Sequence, residues 1–130
     1  MQIVTIPCLS DNYAYLVEGP SGIVLIDAPE AGPIIDALEA RGWSLDTLLI
    51  THHHHDHVGG VAELVDRYGC TVIGPRAEQD KLPSLDRAVE GGDVIEVGGT
   101  SCTVIFVNQP FVYLKFALHL LTCQTRQMTF

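Results

Sequence analysis

Five of the six histidines in this 130-residue chain fall within six consecutive positions, in the run Thr51–Gly60 that reads THHHHDHVGG. A purification tag would sit at a terminus. A casual polar loop would not be framed by an apolar strand-like segment on one side and a Gly-Gly step on the other. The run therefore reads as a metal site. Side chains alternate along an extended chain, so His52 and His54 point one way while His53 and His55 point the other. Two imidazoles on one side suit a single zinc ion at Zn–N distances of ~2.0–2.1 Å. Asp56 and His57 follow where the chain turns into a helix, and can present a carboxylate and an imidazole to a second ion beside the first. His53 and His55 are expected to pack or hydrogen-bond outside the ligand set. Asp27, which ends an earlier strand towards the same edge, reads either as an outer partner of a metal-bound histidine or as a strand-end cap. Gly59 and Gly60 read as positions where backbone must come close to the site.

These side chains need a frame. QIVTIP and YAYLVE are short β-rich runs separated by the turn-like CLSDN, and GIVLIDA is a continuous apolar run suited to a strand buried on both faces. A helix carrying Ile34, Ile35 and Leu38 on one stripe ends near Gly42, and the strand DTLLIT leads into the histidines. Beyond Gly60, Val61, Leu64, Val65 and Tyr68 recur at helical spacing, closed by Gly69, which predicts an amphipathic helix over Gly59–Tyr68. CTVIG reads as a strand, the segment from Pro75 to Asp93 as a polar excursion with weak helical character, and VIEV with SCTVIFV as a hairpin turning at Gly98-Gly99. The order is strands, then β-α-β-α-β, then a hairpin: an α/β layered domain with its ligands at the C-terminal ends of the strands. Val112–Leu121 is apolar enough to predict a helix, while the last nine residues have no clear period.

Composition bounds the function from outside. The length suits one domain with a modest core. Sixteen acidic against seven basic residues give a net charge of -9, which repels phosphate backbones and argues against nucleic-acid binding. No apolar run approaches the ~20 residues needed to span a bilayer. The N-terminus lacks a signal-peptide pattern, so no membrane partner and a cytoplasmic location are expected. Cys8, Cys70, Cys102 and Cys123 form no Cys-x-x-Cys pair and read as buried free thiols.

THHHHDHVGG resembles the Thr-His-x-His-x-Asp-His signature of the metallo-β-lactamase superfamily. DNYAYLV, GIVLIDA, GGVAELVDRYG and the passage up to CTVIFV are similar, in the same order, to bacterial hydroxyacylglutathione hydrolases (glyoxalase II). The resemblance covers residues 1–107, with residues 108–130 forming an atypical C-terminal segment with a short helix. It implies an αββα sandwich, here incomplete and mainly its N-terminal half. It also implies His52 and His54 as ligands of one zinc, and Asp56 and His57 as ligands of a second, with Asp56 also helping to position the hydroxide. The implied reaction is hydrolysis of S-(2-hydroxyacyl)glutathione, typically S-lactoylglutathione, by hydroxide generated on zinc, whose bound water has a pKa of ~7.

The chain departs from that family after Val107. A Thr-Pro-Gly-His-Thr-like loop, a Gly-Asp-Thr-like strand end bearing a bridging aspartate and a His-Glu-Tyr-like segment are not found, and YLKFALHL resembles the helix that follows the last of these. The reading is an internal loss that joins Val107 to a helix from further on, leaving two ligands per zinc and fewer ions held, or none. A hydrolytic zinc usually has three protein ligands and water. His119, alone in an apolar stretch, reads as a packed or surface histidine. The expectation is a thioester hydrolase by origin, weak or inactive, with self-association through exposed sheet surface. Two alternatives are a non-catalytic remnant that binds metal weakly, and another enzyme of the fold such as a sulfur dioxygenase, other thioesterase or lactonase.

Overall fold

The computed structural model describes the backbone of residues 2–109 and 111–118, and side chains through residue 105. It begins with an antiparallel pair, β1 (Gln2–Cys8) and β2 (Asn12–Glu18), joined by the tight turn the sequence predicts. β2 pairs antiparallel with β3 (Ile23–Ile26), and β3 then begins a parallel run with β4 (Thr47–Leu49), β5 (Thr71–Pro75) and β6 (Arg87–Val89). The six strands form one mixed sheet in chain order.

Helices α1 (Ala31–Arg41) and α3 (Val61–Tyr68) pack on one face of that sheet, with the short α2 (His55–Val58) between them in sequence. Both longer helices end on a left-handed glycine, Gly42 at φ 66° and Gly69 at φ 62°, where a Cβ would be strained. Ile34, Ile35 and Leu38 from α1, with Val61 and Leu64 from α3, meet Leu16, Leu25, Leu48 and Val72 of the sheet. Arg67 of α3 pairs with Glu39 of α1 at the outer edge of the two helices.

The other face is covered by a second, antiparallel sheet of β7 (Val94–Val97), β8 (Thr100–Gln109) and β9 (Phe111–Leu118). Here Val24, Ile26, Leu49 and Ile73 meet Ile95, Val97, Cys102 and Val104. Alternate residues of β3, β4 and β5 therefore serve different cores. Leu25, Leu48 and Val72 face the helices, while Val24, Leu49 and Ile73 face the second sheet. That is the physical reason these strands read as unbroken apolar runs rather than alternating ones. The layers are helix, sheet, sheet, the N-terminal part of the expected αββα arrangement. On the outward face of the second sheet Val94 and Ile105 are exposed.

Three expectations need correction. The helix predicted over Val112–Leu121 is a strand over its described part: β9 pairs with β8 from Gln109↔Phe111 to Cys102↔Leu118. FVYLKFAL is rich in aromatic and β-branched residues, which fit a pleated surface beside an existing strand better than an isolated helix. Residues 119–121 lie outside the described residues. The polar excursion after Pro75 has its weak helical character in the 3-10 turn Arg76–Lys81, but it also contains the short strand β6, which its flanking charges concealed. The helix expected over Gly59–Tyr68 begins two residues later, as α3 at Val61, and a separate short helix, α2, precedes it and carries His55 to Val58. Among the described residues no helix is long and apolar enough to cross a membrane.

Candidate metal centre

Three parallel strands end at one rim, and each delivers part of the site. Asp27 follows β3, Thr51 and the histidines follow β4, and Glu78 sits in the 3-10 turn after β5. Carboxyl ends of parallel strands are where open α/β sheets place their ligands.

Asp27 organises the rim. It is buried and adopts φ 59°, a left-handed conformation that aspartate tolerates better than most residues. Its amide donates to the Leu49 carbonyl at 2.8 Å, so the residue is fixed to β4 on its backbone side. Its carboxylate then accepts three hydrogen bonds. Oδ1 takes the Thr51 N–H at 2.8 Å, and Oδ2 takes the Thr51 hydroxyl at 2.7 Å and His57 Nδ1–H at 2.8 Å.

These bonds dictate where the imidazole protons lie. A hydroxyl has one proton, and that of Thr51 is committed to Asp27. Thr51 Oγ1 must then accept from His52 Nδ1, which lies 2.8 Å away. His52 is thus protonated on Nδ1 and carries its lone pair on Nε2. At His57 the Nδ1–H is held directly by Asp27, which leaves Nε2 as the nitrogen that can ligate. One carboxylate sets the tautomer of both rings, the role expected of the outer partner of metal-binding histidines.

Of the four residues expected as ligands, the structure groups His52 and His57 with Asp27, while His54 lies beside His52 and Asp56 beside His57. The rings of His52 and His57 lie 3.9 Å apart between centroids, and those of His52 and His54 4.8 Å apart. His57 Nε2 lies 3.4 Å from Asp56 Oδ2. Asp27, His52 and His57 can each offer a donor atom within 4.8 Å of the others. Asp27 belongs to that group by proximity, but its oxygens already accept from Thr51 and His57, which assigns it to orientation rather than ligation. Of the two readings open for Asp27, the outer partner matches its contacts.

Electrostatics divide the two histidines. Burial pushes the pKa of His52 below its ordinary value, aided by the neighbouring charges of His57 and His54, and Asp27 and Glu78 oppose this only in part. His52 is therefore neutral at neutral pH, the form in which imidazole ligates a metal. Burial also acts against the charged form of His57, but the hydrogen bond and charge of Asp27, with Asp56 beside it, outweigh burial and raise its pKa. Two imidazoles whose Nδ1 positions are engaged by Thr51 and Asp27, leaving Nε2 as the ligating nitrogen, suit a divalent metal ion together with one carboxylate.

The loop that carries Asp56 and His57 is bolted back onto β3. Ala28 N–H donates to the His57 carbonyl at 2.8 Å, and Gly60 N–H to the Ala28 carbonyl at 2.8 Å. At Gly60 an added Cβ would lie 2.7 Å from Ala31 N, and at Gly59 2.7 Å from the Pro29 carbonyl oxygen. Both glycines permit close approach, as expected, although the partner is the β3–α1 connection rather than the ligands.

Three contributors were not singled out in the sequence. Thr51 relays Asp27 to His52. Asn12, in the turn region of the first hairpin, donates its Nδ2 to the Asp56 carbonyl at 2.7 Å and to Asp56 Oδ2 at 3.3 Å. Glu78 accepts the His53 N–H at 2.8 Å. The His53 ring nitrogen Nδ1 lies 3.0 Å from the same Glu78 oxygen, and His55 is exposed on α2. His119 and Cys123 lie outside the described residues. Cys8, Cys70 and Cys102 are buried free thiols, and burial raises the pKa of each, that of Cys102 to about 11.

A rim of this kind, at the strand ends of a sheet backed by a second sheet, defines a class. The chain belongs to the metallo-beta-lactamase superfamily, whose family model matches residues 9–106. Within it, the chain is 53% identical over 110 residues to a hydroxyacylglutathione hydrolase of Ruegeria pomeroyi, covering 83% of this chain and 43% of that protein. It is 56% identical over 93 residues to a hydroxyacylglutathione hydrolase of a Bradyrhizobium species, covering 70% of this chain and 36% of the relative. The chain thus spans about two fifths of the length of these curated relatives. Among solved structures, a metallo-beta-lactamase of Cronobacter sakazakii matches with a TM-score of 0.72 at 24% identity, over 82% of this chain and 52% of that one. A subclass B3 metallo-beta-lactamase of Bradyrhizobium japonicum matches with a TM-score of 0.65 at 24% identity, over 78% and 45%. These two likenesses establish the fold.

Proposed function

We propose that this chain carries the metal-binding half of a hydroxyacylglutathione hydrolase, with zinc as the ion and a glutathione thioester of a 2-hydroxy acid as substrate. Turnover by this polypeptide is impaired. The observation that carries the reading is the Asp27 carboxylate, which orients the lone pairs of His52 and His57 beside Asp56. Relatives named for this activity and about half identical in sequence support the substrate class.

His52 and His54 would hold one ion, and Asp56 and His57 a second. A bound zinc ion supplies two things: it acidifies water to a pKa of ~7, and it polarises a carbonyl oxygen. The chain's own residues do the positioning. Asp27 and Thr51 fix two imidazoles in the ligating tautomer, and Asn12 steadies the carboxylate of Asp56. A glutathione thiolate, with a thiol pKa of ~8.5, leaves without a strong general acid. With two of these donors per ion against the usual three, affinity and rate are reduced.

The test is release of glutathione from S-lactoylglutathione by the purified chain with zinc, read with a thiol-reactive dye. His52→Ala is the control, and the full-length Ruegeria pomeroyi relative runs in parallel. The expected result is zinc-dependent turnover well below that of the relative and above that of His52→Ala. Turnover no different from that of His52→Ala, with zinc bound to the wild-type chain, refutes the hydrolase reading.

A further inference from the structure

We propose that Glu78 is a positioning residue for the metal centre, acting through the backbone of His53; this rests on the metal-binding reading above. Glu78 is 8% exposed, and a buried carboxylate is costly unless it is well partnered. Its partners are both on His53. Oε2 accepts the His53 N–H at 2.8 Å and lies 3.0 Å from His53 Nδ1. The ring nitrogen makes no hydrogen bond there, so the amide is the directional tie.

The placement of that amide matters because His53 separates His52 from His54. The peptide unit joining residues 52 and 53 sets the angle at which the two flanking imidazoles diverge. β4 ends at Leu49, and its ladder with the neighbouring strands runs out just before the histidines. Side-chain carboxylates from both sides continue the grip. Asp27, after β3, takes the amide of Thr51, and Glu78, after β5, takes the amide of His53. Between these two anchors the extended chain has little freedom to rotate His52 away from His54, whose rings lie 4.8 Å apart. A ligand pair held in advance loses less conformational freedom when the ion arrives.

Glu78→Ala, Glu78→Gln and Glu78→Asp in the full chain test the assignment, with zinc affinity measured by competition with a chromophoric chelator. Metal-free thermal melts provide the fold control. Glutamine still offers an oxygen to the His53 amide and retains most of the affinity. Alanine removes the acceptor and aspartate falls one methylene short, so each lowers zinc affinity by about 10- to 100-fold. If the alanine variant does not fold, the glutamine and aspartate variants decide. A purely structural staple predicts lower melting temperatures with unchanged zinc affinity, and that result overturns the proposal. So does Glu78→Gln binding as weakly as Glu78→Asp, because charge and not the amide tie would then be the cause. A wild-type chain that takes up no zinc overturns the metal reading itself, and this proposal with it.

Discussion

Replacing Asp27 with asparagine should damage the site far beyond the single charge it removes. Asparagine tolerates the left-handed backbone at φ 59° about as well as aspartate, so strain is not the variable. Its oxygen can keep the Thr51 amide bond, which places an NH2 where Oδ2 accepted two protons. The Thr51 hydroxyl must then reverse, accepting from Asn and donating to His52 Nδ1. His57 Nδ1 must likewise become an acceptor. Both rings are driven to carry their proton on Nε2, the nitrogen that should face the metal. Restoring either ring to its ligating tautomer sets donor against donor, and a buried donor left unsatisfied costs ~1–3 kcal/mol. At 1.4 kcal/mol per factor of ten, zinc affinity should fall by roughly 10- to 100-fold, in line with other outer-shell substitutions. Stability should fall by about 1–3 kcal/mol in urea, with the denaturant slope unchanged. Chelator competition and urea titration on the same preparation separate the two effects. Zinc affinity within about twofold of wild type, a difference under ~0.5 kcal/mol, would refute the tautomer argument.

Three further outcomes follow from the same contacts. Thr51→Val removes the relay, leaves His52 Nδ1–H without that acceptor and should cost ~1–3 kcal/mol in urea unfolding. It should weaken zinc binding less than Asp27→Asn, because His57 keeps its tie to Asp27. Gly60→Ala sets a Cβ 2.7 Å from Ala31 N and 2.8 Å from the Glu30 carbonyl carbon, both backbone, so the loop must shift. A loss of about 1–3 kcal/mol in thermal or urea unfolding is expected. The Cys102 thiol has its pKa raised by burial from 9.0 to about 11, so the folded state disfavours its thiolate. Its contribution to stability is complete below pH 9 and is lost as pH rises towards about 11. The urea midpoint of wild type should fall over that interval more steeply than that of Cys102→Ala.

Much of this architecture is legible in the sequence because local pattern and tertiary burial agree. The unbroken apolar run at Ile23–Ile26 predicts a strand covered on both faces, and the structure places alternate residues of it in two cores. The 3.6-residue spacing of Val61, Leu64, Val65 and Tyr68 predicts α3, and Gly42 and Gly69 mark the helix ends. The candidate site was legible where its members are neighbours in sequence, as in His52 and His57, which the structure groups with Asp27. Asp27 stood out as a carboxylate at the end of a buried strand, where an outer partner and a strand-end cap were both open, and its contacts with Thr51 and His57 decide between them.

What escaped the sequence depends on distant pairing. Phe111–Leu118 has a composition that either a buried helix or a strand accepts, and the open edge of β8 decides between them. β6 is three residues long, and only its parallel pairing to β5 makes it a strand. Asn12 and Glu78 reach the histidine loop across 44 and 25 residues of chain, and their own surroundings in the sequence carry no chemical pattern. Thr51 was visible as part of the signature. Its function as a proton relay needed the position of Asp27.

The central claim is that four side chains on one short loop converge on one metal centre, with the donor atoms of His52 and His57 set by Asp27. Anomalous diffraction from zinc-soaked crystals of this chain tests it most directly. The account predicts zinc density at ~2.0–2.1 Å from Nε2 of His52, within the cluster formed with His54, Asp56 and His57. Zinc bound through Nδ1 of His52 or His57, or density only at sites away from this rim, would contradict it.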